Sequence, residues 1–163
     1  QSVVPLDALI LVNELNRDLE IIKTASIGIP LGKQTFDTPL PDKVEAPYSS
    51  NSVHLAYAEL YELERLFLGN YRGGGAGYGM GQALDALEAQ YNGAPLSTAI
   101  ANQFIAATAA VQAMPEPLGQ AVVSNRAPVE AAYNEIQKLV ILLKTDMASA
   151  LSILITYTDA DGD

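Results

Sequence analysis

The sequence has no cysteine, no tryptophan and a single histidine, His54. Without cysteine there is no disulfide framework, no zinc ribbon, no iron–sulfur cluster and no thiol nucleophile. One histidine leaves a serine triad a single candidate base and excludes a multi-histidine metal site within one chain. Basic side chains are also scarce: 9 Lys and Arg stand against 19 Asp and Glu, for a net charge of -10. No basic stripe is available to displace counterions from a phosphate backbone, so nucleic acid is not an expected partner, and anionic membrane surfaces are disfavoured for the same reason. Long uninterrupted apolar runs are missing as well. The most apolar stretch, 139–157, carries Lys144 and Asp146 in its middle, which speaks against a transmembrane segment. The first residues lack the basic and apolar regions of a signal peptide, and Gln1 in place of an initiator Met points to processing or to a piece of a longer chain.

What is present is a chain of 163 residues, 49% hydrophobic and 17% charged, too apolar for disorder and long enough for one core. One domain over residues 1–163 is the expectation. The apolar spacing of Leu6, Leu9, Leu15, Leu19 and Ile22 predicts a helix over 3–27, with Pro5 suited to its first turn and Gly28-Ile29-Pro30 as its stop. Residues 28–48, punctuated by four prolines, read as a long loop of the kind that contacts partners. A second helix follows any of the caps Ser49, Ser50, Asn51 or Ser52 and ends at Gly69. A short helix is expected over 82–91, closed by Asn92-Gly93. An Ala-rich helix from Pro95 to Met114 is expected to be central, because small side chains permit close helix contact. One further turn over 118–123 precedes a long last helix with Ser124 or Asn125 as cap and Pro128 near its start. The β-branched stretch 153–158 is suited to leaving that helix and extending. Four substantial helices and no convincing strand predict an all-α, four-helix-bundle-like single domain with long loops.

Few side chains assemble into a chemical motif. The glycines of 73–81 lack the Lys-Ser/Thr of a P-loop and follow no strand, so they read as a connector rather than a phosphate cradle. His54 and Glu59 are five residues apart, about 140° around a helix, whereas a shared metal or proton needs a spacing of three or four. Glu59 and Glu62 therefore read as solvated, and His54 as a surface or partner-facing residue. Lys144 and Asp146 interrupt an apolar helix two positions apart, so they diverge and look to separate partners or to solvent. The tail Asp159-Ala160-Asp161-Gly162-Asp163 begins like a calcium loop but ends before the residues that would complete one, and reads as an acidic terminus.

Three segments together resemble one family. Lys43-Val44-Glu45-Ala46-Pro47-Tyr48-Ser49-Ser50-Asn51-Ser52 with Leu66-Phe67-Leu68-Gly69, then Leu142-Leu143-Lys144-Thr145-Asp146-Met147, then 155–163, are similar to the C-terminal half of imelysin-like proteins, a family that takes in a membrane protease and iron-regulated proteins. The resemblance implies a bacterial extracytoplasmic protein, periplasmic or surface-located, built from two related helical bundles whose interface is the functional site. It also implies that the family's G-x-H-x-x-E motif belongs to the other half. Here His54 is preceded at that spacing by Ser52 and followed by Tyr57, so no catalytic or metal-binding residue is carried over and no metal or other cofactor is assigned. The leading expectation is a noncatalytic half that docks on a second imelysin-like half or a homodimer partner and contributes to an iron-uptake-linked or surface ligand-binding site. The alternatives are a metallopeptidase completed by a partner half and a metal- or polysaccharide-binding module. The candidate binding or interface residues are Glu45, Tyr48, Ser49, Asn51, Ser52, Lys144 and Asp146.

Overall fold

The computed structural model of the chain describes residues 6–70 and 74–156. Pro5, Gly73 and the acidic tail 159–163, each singled out above, lie outside the described residues.

The first helix, α1, spans residues 6–31 without a break, although its hydrogen bonding changes twice. It is α-helical over Leu6–Ile21, π-helical over Ile22–Gly28 and α-helical again over Ile29–Leu31. The apolar pattern explains the change. Leu15, Leu19 and Ile22 recur at helical spacing, but the next core residue, Ile27, is five positions on, and all four are almost fully buried. In an α-helix five residues would place Ile27 about 140° from Ile22. Widening to i→i+5 bonding, as in the Ile29 amide's donation to the Thr24 carbonyl, returns Ile27 to the core side. The expected stop at Gly28 is thereby corrected. Gly28 lies inside the helix because a Cβ there would sit 2.9 Å from the Lys23 carbonyl oxygen and 3.1 Å from the Tyr133 ring. The helix ends instead at Gly32, whose φ of 90° supplies the left-handed cap.

Helix α2 covers Ser52–Leu68 and ends, as expected, at Gly69. The short α3 covers Met80–Ala86, earlier than the expected 82–91. Residues 90–95 form a two-residue-per-strand hairpin instead, with Gln90 opposite Pro95 and Tyr91 opposite Ala94. Asn92-Gly93, read above as a helix stop, is its turn, with both residues at positive φ. The Ala-rich α4 covers Leu96–Gln112, α5 covers Leu118–Ser124, and α6 runs through residues 126–150. Helix α6 repeats the device of α1: Arg126–Ile141 is α-helical, Leu142–Met147 π-helical and Ala148–Ala150 α-helical.

The architecture is all-α and four-helix-bundle-like. Helix α4 packs against both α2 and α6, and α1 closes the ring by packing against the same two. One continuous core results, with Phe67 of α2 against Phe104 of α4 at 5.7 Å between ring centres. Truncating such a fully buried ring would cost about 3–5 kcal/mol. Beyond α6 the chain leaves the helix, as the β-branched stretch predicts, and is held along α1 by one side chain. The Asn13 amide donates to the Leu154 carbonyl at 3.3 Å and accepts from the Thr156 amide at 2.8 Å, so it pairs with backbone as a peptide unit would.

The glycine connector is closed by backbone contacts. The Gly77 amide donates to the Gly69 carbonyl, and the Gly79 amide to the Gln82 side chain at 2.6 Å. Two of the connector's amide donors are thus occupied internally. Among the described residues no helix is long and apolar enough to cross a membrane.

Candidate functional site

The segment 45–52 is a turn packed on the end of the bundle. Val44 is buried and anchors it, while Glu45, Tyr48, Ser49 and Asn51 are exposed, Tyr48 fully so. Ser52 differs from its neighbours. It is buried, and its hydroxyl accepts the Ala46 amide at 3.1 Å, which closes the turn. None of the expected side-chain caps bonds to the start of α2. Glu116 does so from the loop before α5: one carboxylate oxygen accepts the Val53 amide at 2.6 Å and the other the Leu118 amide at 2.9 Å. A negative charge is favourable at a helix N-terminus, and here it serves two helices at once. The neighbouring Gly119 lies so close to the loop that a Cβ would meet the Pro41 carbonyl oxygen at 2.7 Å. The long loop is therefore packed, and Arg126 holds it from the other side through the Asp37 carbonyl at 3.2 Å.

Lys144 and Asp146 lie elsewhere, on the π-helical part of α6. They do diverge. The Lys144 amine reaches Glu20 of α1 at 3.9 Å, while Asp146 is half-buried on the same segment. Glu20 also pairs with Lys23 at 2.6 Å, and the two side chains are only 13% and 6% exposed. A carboxylate thus joins lysines from the π-helical parts of both long helices, at the waist of the bundle. The signal for this cluster was a lysine at position 23, between Leu19 and Ile27, three residues after a glutamate. It falls on the core side only once the five-residue step is recognised.

Beside the waist, α1 and α2 diverge to leave an open cleft of about 520 Å³. Ile21, Ile22, Ala58 and Leu63 form its apolar lining, and Asp18, Glu59 and Glu62 its acidic rim. Burial, followed by the nearby charges of Glu45 and Asp18, pushes the Glu59 carboxyl above the usual glutamate range. This places Glu45, one of the expected residues, in the electrostatic surroundings of the cleft. Glu59 is exposed and Glu62 half-buried, as a solvated face predicts, but that reading did not include the apolar surface between them and α1. No periodicity within one helix could have revealed it.

The arrangement does not fit a metal. Among the described residues no three His, Asp or Glu side chains are grouped to hold an ion. His54 is exposed on the first turn of α2.

No curated protein and no solved structure was found to match the chain. The family model for imelysin, peptidase family M75, matches residues 6–145, from the first turn of α1 into the π-helical part of α6. That match covers every helix of the bundle and both sides of the cleft, and the chain belongs to the imelysin family.

Proposed function

We propose that this chain is a noncatalytic helical unit of an extracytoplasmic imelysin-family protein, which acts by docking its α1–α2 face on a second domain and so contributes to a ligand-binding site linked to iron uptake or to the cell surface. The open, apolar-lined cleft between α1 and α2 carries the reading. Ile21 borders it at 49% exposure, and Ile10 and Tyr61 on the same two helices are 53% and 42% exposed. Single exposed apolar residues are ordinary, but apolar side chains around an open concavity mark an interaction site. Family membership supports the class of protein. The exposed turn with Glu45, Tyr48, Ser49 and Asn51 would extend the docking surface from the loop side, while Lys144 and Asp146 would contribute from α6 by fixing the shape of the waist.

Sedimentation velocity on the chain and on its Ile21→Glu variant, alongside a casein-digestion assay with and without chelator, tests this. Association with a second copy, or with a co-purifying polypeptide, that is weakened by Ile21→Glu supports docking. A chain that stays monomeric and partnerless yet digests casein in a chelator-sensitive manner overturns it.

A further inference from the structure

We propose that two copies of this chain pair through the outer face of α4, with Ile105 of each copy at the twofold axis. The inference goes beyond the docking reading above and uses a different surface. Helix α4 packs inward on α2 and α6, and α1 packs on the same two helices, so the outer face of α4 lies across the bundle from α1.

Charge selects the partner. Residues 96–114 contain no Asp, Glu, Lys or Arg, whereas α1, α2 and α6 each carry several. A helix on the surface of a bundle ordinarily turns charged residues to solvent. The solvent side of α4 offers Thr98, Asn102, Ile105, Ala109 and Gln112 instead, all exposed, with Ile105 at 60%. A charged partner surface would lose its hydration here against groups that carry no charge. A second copy meets this face with the same uncharged set. Elsewhere on the chain, 19 acidic against 9 basic side chains make contacts between copies oppose like charges.

The spacing fits a helix pair. The five exposed residues follow one another at intervals of four, three, four and three, the pattern by which helices pack side by side. They are nearly symmetric about Ile105. An antiparallel partner sets Ile105 against its counterpart, Thr98 against Gln112 and Asn102 against Ala109, so that each unlike contact occurs twice. Opposed helix dipoles favour that direction. Helix α4 has 17 residues, a length of about 25 Å, and one helix pair of this length falls short of the roughly 800 Å² per partner of a tight complex. The pairing is therefore weak and concentration-dependent.

Sedimentation equilibrium over a concentration series compares the wild-type chain with Ile105→Glu and Ile21→Glu, with circular dichroism to verify that each is folded. The expected result is a reversible dimer, weakened about a hundredfold by Ile105→Glu, which sets two like charges at the axis, and unchanged by Ile21→Glu. Added salt should strengthen it by screening the repulsion between two acidic copies. Because the chain has no cysteine, Ile105→Cys supplies a single thiol. Oxidation should link its copies far faster than those of Val123→Cys, a position on α5 that is equally exposed at 61%. A chain that stays monomeric at millimolar concentration, a dimer indifferent to Ile105→Glu or weakened by salt, or equal cross-linking of the two thiol variants would overturn the pairing. Association that depends on Ile21 alone would remove this proposal and leave the docking reading standing.

Discussion

The Glu116 carboxylate accepts the amide hydrogen of Val53 at 2.6 Å, across 63 residues of sequence. A helix start that looks locally capped is therefore capped from a distant loop. Glu116→Ala should destabilise the fold by about 1–2 kcal/mol, the usual cost of a lost N-cap, whereas Asn51→Ala should change stability by less than about 0.5 kcal/mol, as for an ordinary surface site. Urea denaturation of the two variants measures this. Equal losses would show that Asn51 shares the capping role.

The waist cluster predicts an asymmetric response to charge removal. Glu20→Gln leaves Lys23 buried without its carboxylate and should cost about 3–5 kcal/mol. Lys144→Met removes a longer and more exposed contact and should cost less than about 1 kcal/mol through that pair. The double change Glu20→Leu with Lys23→Met should be milder than Glu20→Gln alone, because it leaves neither buried charge of the close pair. Chemical denaturation of all three orders these effects, and a double variant as unstable as Glu20→Gln would contradict it.

Gly28 offers a test of the π-helical segment. Alanine there gains about 1 kcal/mol of helix propensity, but its methyl group meets the Lys23 carbonyl and the Tyr133 ring, and overpacking of this kind costs about 1–3 kcal/mol. Net destabilisation is expected, with faster hydrogen exchange of the amides in 22–29. A stabilised variant would mean that the segment relaxes into ordinary α-helix at little cost.

Two glutamates should respond to pH with opposite signs. Hydrogen bonds from Lys138 and then from Gln103 hold the Glu135 carboxyl below its ordinary value of 4.5. The stability it contributes is present above 4.5 and is lost as pH falls through the lower folded value. Burial first, then Glu45 and Asp18, raise the Glu59 carboxyl, so its ionised form opposes folding once pH rises above the folded value. Relative to wild type, Glu135→Gln should lower Tm at neutral pH, and Glu59→Gln should raise it. Both differences should vanish well below pH 4.5 in thermal scans. Glu59→Gln that lowers Tm at neutral pH would reverse the sign argued here.

Much of the bundle was legible because its evidence is local. Core positions in α2, α4 and the first part of α6 recur at helical spacing, and Gly69 marks its own helix end. The central place of the Ala-rich helix also followed from composition, since small side chains admit neighbours on two sides. What failed was legibility across distance or through a change of period. The true end of α1 was missed because Gly28-Ile29-Pro30 reads as a stop, and the five-residue step from Ile22 to Ile27 has no signature at 3.6 residues per turn. The hairpin at Asn92-Gly93 was hidden by the same dipeptide's fitness to stop a helix. Within the expected site, Glu45, Tyr48, Ser49 and Asn51 are exposed, whereas Ser52 is buried as a turn closure and Lys144 reaches Glu20 of α1, a contact that lies between helices. The cleft needed two helices to be placed together before Asp18 and Glu59 had any relation.

The π-helical part of α1 holds one residue more than the same turns of α-helix would. Deleting the exposed Ala25 would therefore let the segment tighten to α geometry while the parts before and after it keep nearly their present rotation, with Ile22 and Ile27 then four positions apart on the core side. A deletion between Asn13 and Asp18, in the α-helical part, has no such slack: it would rotate Asn13 by about 100° relative to everything after it and turn it away from Leu154 and Thr156. A lost codon is thus absorbed at one place in this helix and unfastens the 154–156 segment when it falls about ten residues earlier.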